Sequence, residues 1–490
     1  MTSEPRAPRR TGVSRRGLVG GLAAAPLAGL AALSAVSAAR SPGTPSAAPA
    51  APARPASARV AAGPPRPGRR RPNIVLVVLD DLGRGEVGSY GQRTIRTPVL
   101  DRLAADGLRF TDAYANPSCA PTRASLLTGL HTGHARVKSN ADATAGLRAE
   151  DVTVAEVLRA AGYTTGHVGK WGLGPDNGAN PSHPNSQGFD HFFGHIDQRH
   201  AHDYWPTYLW RNGERVSHPE NEGADTTYTT DLFTQEALDF IDRSKDDPFF
   251  LYLAYTTPHA PNEIPSDAPY GGEDWPEGER NHAAQITRTD ADIGRVLDRL
   301  ARHGLADDTL VLVTSDNGPH AAGHNMGHVG STLPHDVEFF DSNGPLRGRK
   351  FGVYEGGVRV PLIVRPPAAL RRAGGLAPGT VLRQPVAVWD LLPTLADAGR
   401  AEVPPGLDGV SFVPALTGRA QPEHAYLYWE ADGADEAVRF GDWKGVRPEG
   451  GPVELYHLRR DPYESTDVAA AHPALVRRAE RLLADAVAAR

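Results

Sequence analysis

The chain has 490 residues, of which 40% are hydrophobic, so it is long enough to bury more than one core. Its single cysteine excludes a scaffold held by internal disulfides and a zinc site built from cysteines. The first 72 residues carry 12 arginines and one glutamate, which leaves a net charge of −17 on residues 73–490. An acidic body of this kind is not expected to bind nucleic acid, so any anionic substrate must be held by a local group of cations.

The N-terminal segment has the features of an export signal. A twin-arginine pair, Arg15-Arg16, precedes a weakly hydrophobic stretch of Ala, Leu and Gly, and small residues follow at 37–39. Residues 1–39 are therefore predicted to be a twin-arginine signal peptide, which places the protein outside the cytoplasm. An uncleaved membrane anchor is the alternative, but the weak hydrophobicity argues against stable membrane insertion. Residues 40–72, rich in Pro, Ala and Arg, are predicted to be a disordered linker.

Strand and helix patterns alternate along the chain after this linker. Continuous apolar runs, typical of strands buried on both faces, cover residues 73–79, 248–255 and 310–314, and a fourth strand leads through Val168. Helical spacing of apolar residues covers residues 97–107, 153–162 and about 282–303. The alternation predicts an α/β fold with a large, mixed, mostly parallel sheet flanked by helices.

Each of these four strands runs into polar residues. In chain order they are Asp80-Asp81, Lys170, His259 and Asp316-Asn317. Because the carboxyl ends of parallel strands meet at one edge of a sheet, these side chains are expected to converge. The acids and the amide offer only oxygen ligands, which suits a hard cation such as Ca²⁺, although each pair taken singly also suits a turn or a helix cap.

The single cysteine opens a predicted helix. Pro121 suits the first turn of that helix and Gly129 its end, so Cys119 lies at the N-terminus, where unpaired N–H groups attract anions. Arg123 follows one turn later and can fold back beside the cysteine. For a lone cysteine, an inert buried thiol is the alternative interpretation.

The run Cys119-Ala120-Pro121-Thr122-Arg123, followed by a Thr-Gly pair, resembles the signature of type I sulfatases. These arylsulfatase-like enzymes belong to the alkaline phosphatase superfamily, and a formylglycine-generating enzyme oxidises their cysteine to formylglycine, whose hydrated aldehyde is the nucleophile. The resemblance extends over most of residues 73–465 and implies hydrolysis of sulfate esters in a sulfated small molecule or glycan. The twin-arginine export machinery moves folded proteins, so this oxidation would take place before export.

The resemblance also assigns roles to individual residues. The calcium ligands of the family match Asp80, Asp81, Cys119, Asp316 and Asn317. Its catalytic residues match Cys119, Arg123, Lys170, His259 and Lys350. The two lysines would bind the sulfate and the histidine would protonate the leaving alcohol. Because the chain has only five lysines against 47 arginines, two lysines at matching positions favour a catalytic role over a solvated surface charge.

One position departs from the family pattern. Gly172 stands where many members have a histidine that helps to deprotonate the formylglycine diol, so the second base stays unassigned. A subgroup of the family shares this glycine and equivalents of the runs 187–190 and 208–210, and it suggests sulfated sugars of galacto type. We therefore do not expect the protein to be inactive.

Several histidines accompany these motifs. His320, His324 and His328 have the spacing of one helical face and could bind zinc, but the glycines among them favour a loop beside the site. His320 is expected to lie nearest the site because it follows Asn317 closely. Together with His320, we take His200 and His202 as candidates for substrate binding, with exposed loop histidines as the equal alternative.

A small second subdomain is expected at the C-terminus. Short runs at 426–429 and 441–444 look like antiparallel strands, and 454–458 resembles the family segment before its terminal helix. Residues 420–490 are therefore predicted to form an antiparallel sheet-plus-helix subdomain. It would pack against a catalytic domain at 73–419 and close one wall of the cleft.

Two other functions stay open at the level of the sequence. Phosphonate and phosphodiester hydrolases of the same superfamily use the same modified residue, and they differ from sulfatases in the ester that they turn over. A secreted binding protein of this fold without catalysis is the second alternative, and Gly172 motivates it.

Overall fold

The computed structural model describes residues 71–320, 333–431 and 433–488, and all of them belong to one compact unit. The predicted signal peptide and almost all of the predicted linker lie outside the described residues, as do His324 and His328. The predictions for these parts stay predictions. Within the described residues, no helix combines the length and the apolar character that a membrane span requires.

An 11-stranded mixed sheet forms the centre of the described structure. In chain order its strands are β1 Asn73–Asp80, β2 Leu108–Tyr114, β3 Thr164–Lys170, β4 His191–His195, β5 Tyr208–Arg211, β6 Glu214–Ser217, β7 Phe249–Pro258, β8 Thr309–Ser315, β9 Arg359–Arg365, β10 Thr380–Leu382 and β11 Val386–Ala387. Their spatial order is β10-β2-β9-β8-β1-β7-β3-β4-β5-β6, with β11 paired to β2. The five strands β8-β1-β7-β3-β4 run parallel, and antiparallel pairs lie on both sides of them. The predicted mixed, mostly parallel sheet is confirmed.

Helices cover both faces of this sheet. The α-helices of the described residues are α1 Pro98–Asp106, α2 Cys119–Thr128, α3 Val154–Ala160, α4 Thr229–Ser244, α5 Glu277–Arg302, α6 Glu355–Val358, α7 Ala368–Gly374, α8 Leu391–Gly399, α9 Val413–Leu416 and α10 Pro473–Ala486. Successive residues of a strand point to opposite faces. Accordingly, Ile74 and Leu76 of β1 lie in one apolar cluster and Val75 and Val77 in another, and all four are buried. Burial on both faces explains why β1 is continuously apolar.

The helix α5 differs from its prediction at one end. It begins at Glu277, ahead of the start expected near residue 282. Pro276 precedes it, and the acidic Glu277 and Glu279 occupy its first turn, where the helix dipole favours negative charge. The first turn therefore carries polar residues that the apolar spacing could not reveal.

A second, smaller sheet is formed near the C-terminus. Its antiparallel strands are β12 Leu427–Ala431, β13 Asp435–Phe440, β14 Trp443–Arg447 and β15 Glu454–His457. The helix α10 packs on it through Ala479, Leu483 and Ala486, which are fully buried. The predicted antiparallel sheet-plus-helix subdomain is therefore confirmed as part of the fold, while the domain limits at residues 419 and 420 stay a prediction.

Candidate active site

The parallel strands deliver their polar residues to one edge of the sheet. Asp80 ends β1 and Lys170 ends β3, and the Lys170 Nζ lies 2.6 Å from Asp80 Oδ2. On the other side of β1, Asp316 follows β8, and its Oδ1 accepts a hydrogen bond from the backbone N–H of Asp81 at 3.1 Å. The convergence that was expected from the strand ends is thus observed between side chains far apart in sequence.

Asp81 lies at the centre of this group. Its φ of 67° is in the left-handed region, which Asp adopts more readily than most residues, and this turns the chain sharply after β1. Its carboxylate accepts from Lys350 Nζ at 2.7 and 2.9 Å and from Asn317 Nδ2 at 2.6 Å. Asp81 therefore joins the ends of β1 and β8 to the chain segment that carries Lys350.

The helix α2 brings Cys119 to the same place. It begins at Cys119 and ends before Gly129, which has a left-handed φ of 73°, as the sequence predicts. The Cys119 Sγ lies 3.2 Å from Asp80 Oδ1 and 3.2 Å from Lys350 Nζ. Burial raises the pKa of this thiol well above its usual range, and Asp316 and Asp80 add to the rise. The unmodified cysteine is consequently uncharged at neutral pH and a poor nucleophile.

Three buried cations balance the three carboxylates. The Arg123 Nη2 lies 2.7 Å from Asp316 Oδ2, and its Nη1 donates to the Lys170 carbonyl at 2.7 Å. Burial alone would raise the pKa of Asp80, but Lys170 and other cations hold it well below its usual range. Burial alone would lower the pKa of Lys350, but Asp81 and other carboxylates hold it above its usual value. The site is therefore a compact set of buried charged groups, in which burial and the neighbouring Asp80 raise the pKa of Asp316 above its usual value.

The donor set fits a hard cation. Ligand atoms that lie within 4.8 Å of one another are contributed by Asp80, Asp81, Cys119 and His259. Asp316 and Asn317 contact this group through Asp81, and among the described residues the buried Asn317 Oδ1 has no hydrogen-bond partner. Carboxylate and amide oxygens are the ligands that Ca²⁺ prefers, so the residues present can hold such an ion.

His259 follows β7 and faces the acidic group. Its Nε2 lies 3.4 Å from Asp81 Oδ2, and its Nδ1 lies 2.5 Å from the Ala260 carbonyl, which orients the ring with Nε2 towards the site. The ring of His202 stacks on it, with centroids 4.2 Å apart and planes 9° apart. Burial lowers the pKa of His259 well below its usual value, and the nearby Lys350 adds to the effect.

A cleft of about 520 Å³ opens onto these groups. Its floor includes Cys119, His259 and Lys350, and His202 lines its wall. The described residues also enclose a larger cavity of about 690 Å³, lined by residues 381–385 and 420–424 among others. Its lining includes none of the aspartates and lysines that converge at the strand ends. We therefore take the smaller cleft as the candidate active site, because of the residues that line it and not because of its volume.

Comparison with known proteins identifies the family. Residues 72–400 match the Sulfatase family. The chain is a sulfatase. Arylsulfatase A of Homo sapiens is 34% identical over 413 residues, which cover 76% of this chain and 74% of that protein. The N-acetylgalactosamine-6-O-sulfatase of Bacteroides thetaiotaomicron is 29% identical and covers 84% of this chain and 93% of its own length. The crystal structure of Ps i-CgsB in complex with k-i-k-neocarrahexaose has a TM-score of 0.72 and 29% identity, covering 85% of this chain and 92% of its own.

The fold of this sulfatase is the alkaline-phosphatase-like fold that the sequence predicts, and its structural neighbours share it. The structure brings the predicted catalytic and metal-binding residues together in one pocket. These are Asp80, Asp81, Cys119, Arg123, Lys170, His259, Asp316, Asn317 and Lys350.

The three candidate histidines of this sulfatase lie in different surroundings. His202 is a cleft residue, whereas the His200 ring packs between His195 and Tyr208, with centroids 4.5 Å away in each case. His320 is only 3% exposed, and its Nδ1 lies 3.5 Å from Asp81 Oδ2. It is therefore buried beside Asp81 and does not line the cleft.

The neighbours of Gly172 show what occupies the position of the missing histidine. Gly172 has a left-handed φ of 74°, and a Cβ added there would lie 3.3 Å from Arg123 Cδ and 3.4 Å from Gln198 Oε1. Gln198 lines the cleft, and its Nε2 lies 3.5 Å from Asn140 Oδ1. An amide thus stands beside the position where the family pattern predicts an imidazole.

Some cleft residues of the sulfatase are not among those predicted from the sequence. Asp197, Gln198 and Arg199 follow β4 just as the catalytic residues follow their strands, so the same rule of strand ends could have found them. Asn140, whose Oδ1 accepts from the Ala120 N–H at 3.0 Å, lies in a 3-10 turn that gives no such signal.

Proposed function

We propose that this sulfatase hydrolyses the sulfate esters of sulfated carbohydrates, using formylglycine made from Cys119 and a bound Ca²⁺. The observation that carries the proposal is the buried pocket in which Cys119 lies 3.2 Å from both a carboxylate oxygen and the Lys350 ammonium. The membership of the sulfatase family supplies the reaction, and the pocket supplies the groups that such a reaction needs.

The two absent groups would each supply one kind of chemistry. Formylglycine at position 119, when hydrated, would supply the hydroxyl nucleophile that the neutral thiol of Cys119 cannot replace. A Ca²⁺ ion held by Asp80, Asp81, Asp316 and Asn317 would supply positive charge next to that nucleophile. The carboxylate oxygens of the three aspartates and the Asn317 Oδ1, which has no hydrogen-bond partner among the described residues, support this assignment.

The cations of the chain bind and orient the sulfate group. Lys170 and Lys350 lie on opposite sides of the aspartate pair, one at Asp80 and the other at Asp81. Positive groups fixed in a buried pocket stabilise negative charge that develops on the sulfate oxygens, and they need no reorganisation during the reaction. The N-terminus of α2 adds its partial positive charge at the same point.

His259 donates the proton to the leaving alcohol. Its Nδ1 is held by the Ala260 carbonyl, so Nε2 is the atom that faces the substrate. Burial and the nearby lysines lower the pKa of this imidazole, so the proton that it donates has to be held there by the negative charge of the bound sulfate. Stacking against His202 fixes the plane of the ring.

The cleft supports a sugar as the sulfated alcohol. Its polar lining includes Asn140, Asp176, Asp197 and Gln198, groups that hydrogen-bond hydroxyls. One similar protein is an N-acetylgalactosamine-6-O-sulfatase, and another was crystallised in complex with k-i-k-neocarrahexaose. We therefore propose sulfated sugars of galacto type as the substrate class.

Replacement of Cys119 tests the proposal. Intact mass spectrometry should show an aldehyde at position 119 of the active enzyme, and Cys119→Ser and Cys119→Ala should both lose turnover of a chromogenic aryl sulfate. A panel of sulfated mono- and disaccharides then identifies the sugar. Full activity in Cys119→Ala, or faster turnover of phosphonate or phosphodiester substrates than of any sulfate, would contradict the proposal.

We also propose that a formylglycine-generating enzyme modifies Cys119 before the twin-arginine machinery exports the folded protein. The Arg15-Arg16 pair and the small residues after the following apolar stretch support this route. The double substitution Arg15→Lys, Arg16→Lys should retain the protein in the cytoplasm with the aldehyde present. Undiminished export of that variant would exclude this route.

A further inference from the structure

A second buried group of polar side chains lies behind the active site. We call it the His–Glu cluster, and its members are Glu86, Glu279, His282, His335 and Ser342, each at most 3% exposed. Three chain segments contribute to it. They are the turn after β1, the helix α5 and the segment from residue 333 to residue 354, which also carries Lys350. The cluster therefore joins two segments that hold active-site residues to a long helix.

Glu86 binds the turn after Asp81 to the segment that carries Lys350. Its Oε1 lies 2.6 Å from His282 Nε2 and accepts from Ser342 Oγ at 2.7 Å, while its Oε2 accepts from the Gly83 N–H at 2.6 Å. The backbones also meet, because the Gly85 N–H donates to the Ser342 carbonyl at 2.8 Å. This close approach leaves no room for a side chain at Gly83, where a Cβ would lie 2.1 Å from the Ser342 carbonyl oxygen.

Glu279 holds the beginning of the same segment on the helix α5. One of its oxygens lies 2.7 Å from His335 Nδ1, and the other accepts from the Asp336 N–H at 2.7 Å. The rings of His335 and His282 stack face to face, with centroids 3.6 Å apart and planes 8° apart. Each buried carboxylate thus has an imidazole partner, and the two imidazoles pack on each other.

The ring geometry argues for hydrogen bonding and against a shared metal ion. Ligand atoms of Glu86, His282 and His335 lie within 4.8 Å of one another, so their spacing alone would permit an ion. In parallel stacked rings, however, the nitrogen lone pairs run side by side and do not converge on one point. The short contacts of Glu86 with His282 and Ser342 already satisfy Glu86 Oε1 and His282 Nε2, while His282 Nδ1 has no hydrogen-bond partner among the described residues.

The chain leads from the cluster to the catalytic lysine in eight residues, from Ser342 to Lys350. The Lys350 N–H donates to the Pro319 carbonyl at 3.1 Å, and the next N–H, of Phe351, donates to the Pro117 carbonyl at 2.7 Å. The backbone at Lys350 is thus held directly by residues 319 and 117, while the cluster fixes the earlier part of the same segment at Ser342 and joins it to the turn after Asp81 through Glu86.

We propose that His335 and His282 are positioning residues of this sulfatase. Through Glu86 and Ser342 they hold the segment carrying Lys350 against the turn carrying Asp81, so that the ammonium keeps its place beside residue 119. The catalytic part of this inference rests on the proposed function, but the positioning itself does not.

A double-mutant cycle tests whether His335 acts through Lys350. His335→Ala should lower kcat/KM for an aryl sulfate by about tenfold or more, as expected for a displaced catalytic group. In a Lys350→Ala background the same change should have less than about a twofold further effect, since coupled residues are not additive. Equal losses in both backgrounds would show a merely structural role and overturn the proposal.

Hydrogen exchange provides a readout that does not need activity. His335→Ala should speed amide exchange at residues 350 and 351, and Glu279→Gln, which keeps an acceptor, should do so less than Glu279→Ala. Unchanged amide exchange at residues 350 and 351 in His335→Ala would overturn the proposal. So would the finding that the wild-type protein binds zinc stoichiometrically and that His335→Ala has lost this zinc. If the wild-type protein had no sulfatase activity, the proposed function would be contradicted. The exchange test would still decide the positioning role, because it does not depend on activity.

The matched control is His424, a largely buried imidazole that lies 2.9 Å from its carboxylate partner, Asp390, and lines the larger cavity and not the cleft. His424→Ala should lower the unfolding temperature while leaving kcat/KM per folded molecule and exchange at residues 350 and 351 unchanged. A loss of kcat/KM in this control equal to that of His335→Ala would show that any lost buried pair has the same effect, and would overturn the assignment to the cluster.

Discussion

The chain contains only five lysines, against 47 arginines. Each candidate catalytic lysine can therefore be replaced and tested singly. Two of them, Lys170 and Lys350, are buried against aspartates, whereas Lys245 is exposed at the end of α4. An ammonium group is a point charge on a flexible stem, so it can approach an anion that a planar guanidinium would meet only in a fixed orientation. The residue type at these two positions is therefore part of the chemistry.

Removal of either buried lysine should abolish most of the activity. We expect Lys170→Ala and Lys350→Ala each to lower kcat/KM for an aryl sulfate by roughly 10²-fold or more, because each removes a fixed charge from the developing anion. Lys245→Ala is the matched control and should behave as the wild type. Steady-state kinetics on proteins with equal aldehyde content check this, and a loss below threefold for both buried lysines would count against their role.

The acid role of His259 predicts a dependence on the leaving group. His259→Ala should lower kcat by roughly 10²- to 10⁴-fold for a sugar sulfate, whose alkoxide needs a proton, and much less for an activated aryl sulfate. The ratio of the two kcat values is the measurement. His303→Ala, at an exposed histidine paired with Asp242, is the control. An unchanged ratio in His259→Ala would rule out the acid role.

At the scale of secondary-structure elements, the ends of the parallel strands explain why many residues of the candidate site can be predicted from the sequence. The apolar runs of β1, β7 and β8 predict central parallel strands, and the polar residues that follow them then meet by topology. The same reasoning does not reach the His–Glu cluster. Its members lie on a turn, within a helix and in an irregular segment, and only the packing of these three parts places them together.

The junction of α1 and α5 predicts a pH-dependent stability. Asp290 in α5 accepts from the Val99 and Leu100 N–H groups at the start of α1, at 3.0 and 2.8 Å. Burial nevertheless raises the pKa of Asp290 from 3.8 to about 6. Since the folded form then binds the proton more tightly, this contribution to stability is full below pH 4 and is lost as the pH rises through about 6.

Asp290→Asn should remove that pH dependence. The unfolding free energy of the variant relative to the wild type should therefore rise between pH 4 and pH 7, by at most about 3 kcal/mol for a shift of this size. Denaturant unfolding at several pH values measures the difference. A constant difference between the two proteins across this range would contradict the raised pKa.

At the scale of the whole molecule, a buried ion cluster joins the small sheet to the large one. Lys444 of β14 lies 3.0 Å from Glu355 at the start of α6 and 2.9 Å from Glu464, and all three side chains are fully buried. Burial raises the pKa of Glu464 to about 7, and the neighbouring Glu355 adds to the rise. The Glu355 N–H donates to Glu464 at 2.6 Å, so the cluster also fixes the turn before β9.

Loss of Lys444 should destabilise the whole described unit. Lys444→Met leaves Glu464 buried without its cation, while Glu355 keeps Arg359 at 3.2 Å. The loss should lower the free energy of unfolding by about 3–5 kcal/mol. Thermal or denaturant unfolding checks this, with Lys245→Met at an exposed site as the control. A change below about 1 kcal/mol would show that the cluster contributes little to the junction.

The sequence by itself determined the parts of this protein that depend on local pattern. The cysteine motif, the apolar strands with polar ends and the helix limits around Cys119 and Gly129 are all readable because strand and helix periodicity needs only neighbouring residues. Parallel topology then places the strand ends together without further information. These features suffice for the fold class and for the candidate site residues at the strand ends and around Cys119, whereas Lys350 is predicted only by the resemblance to the sulfatase family.

The tertiary structure decided the features that depend on contacts between distant segments. The approach of Gln198 to Gly172, the stacking of His202 on His259 and the His–Glu cluster join residues that no periodicity relates. Their positions follow from how loops and helices pack on the sheet. A buried polar group that has no hydrogen-bond partner destabilises the fold, because it has lost its contacts with water. For that reason the shape and the support of the site emerge only once the chain is folded.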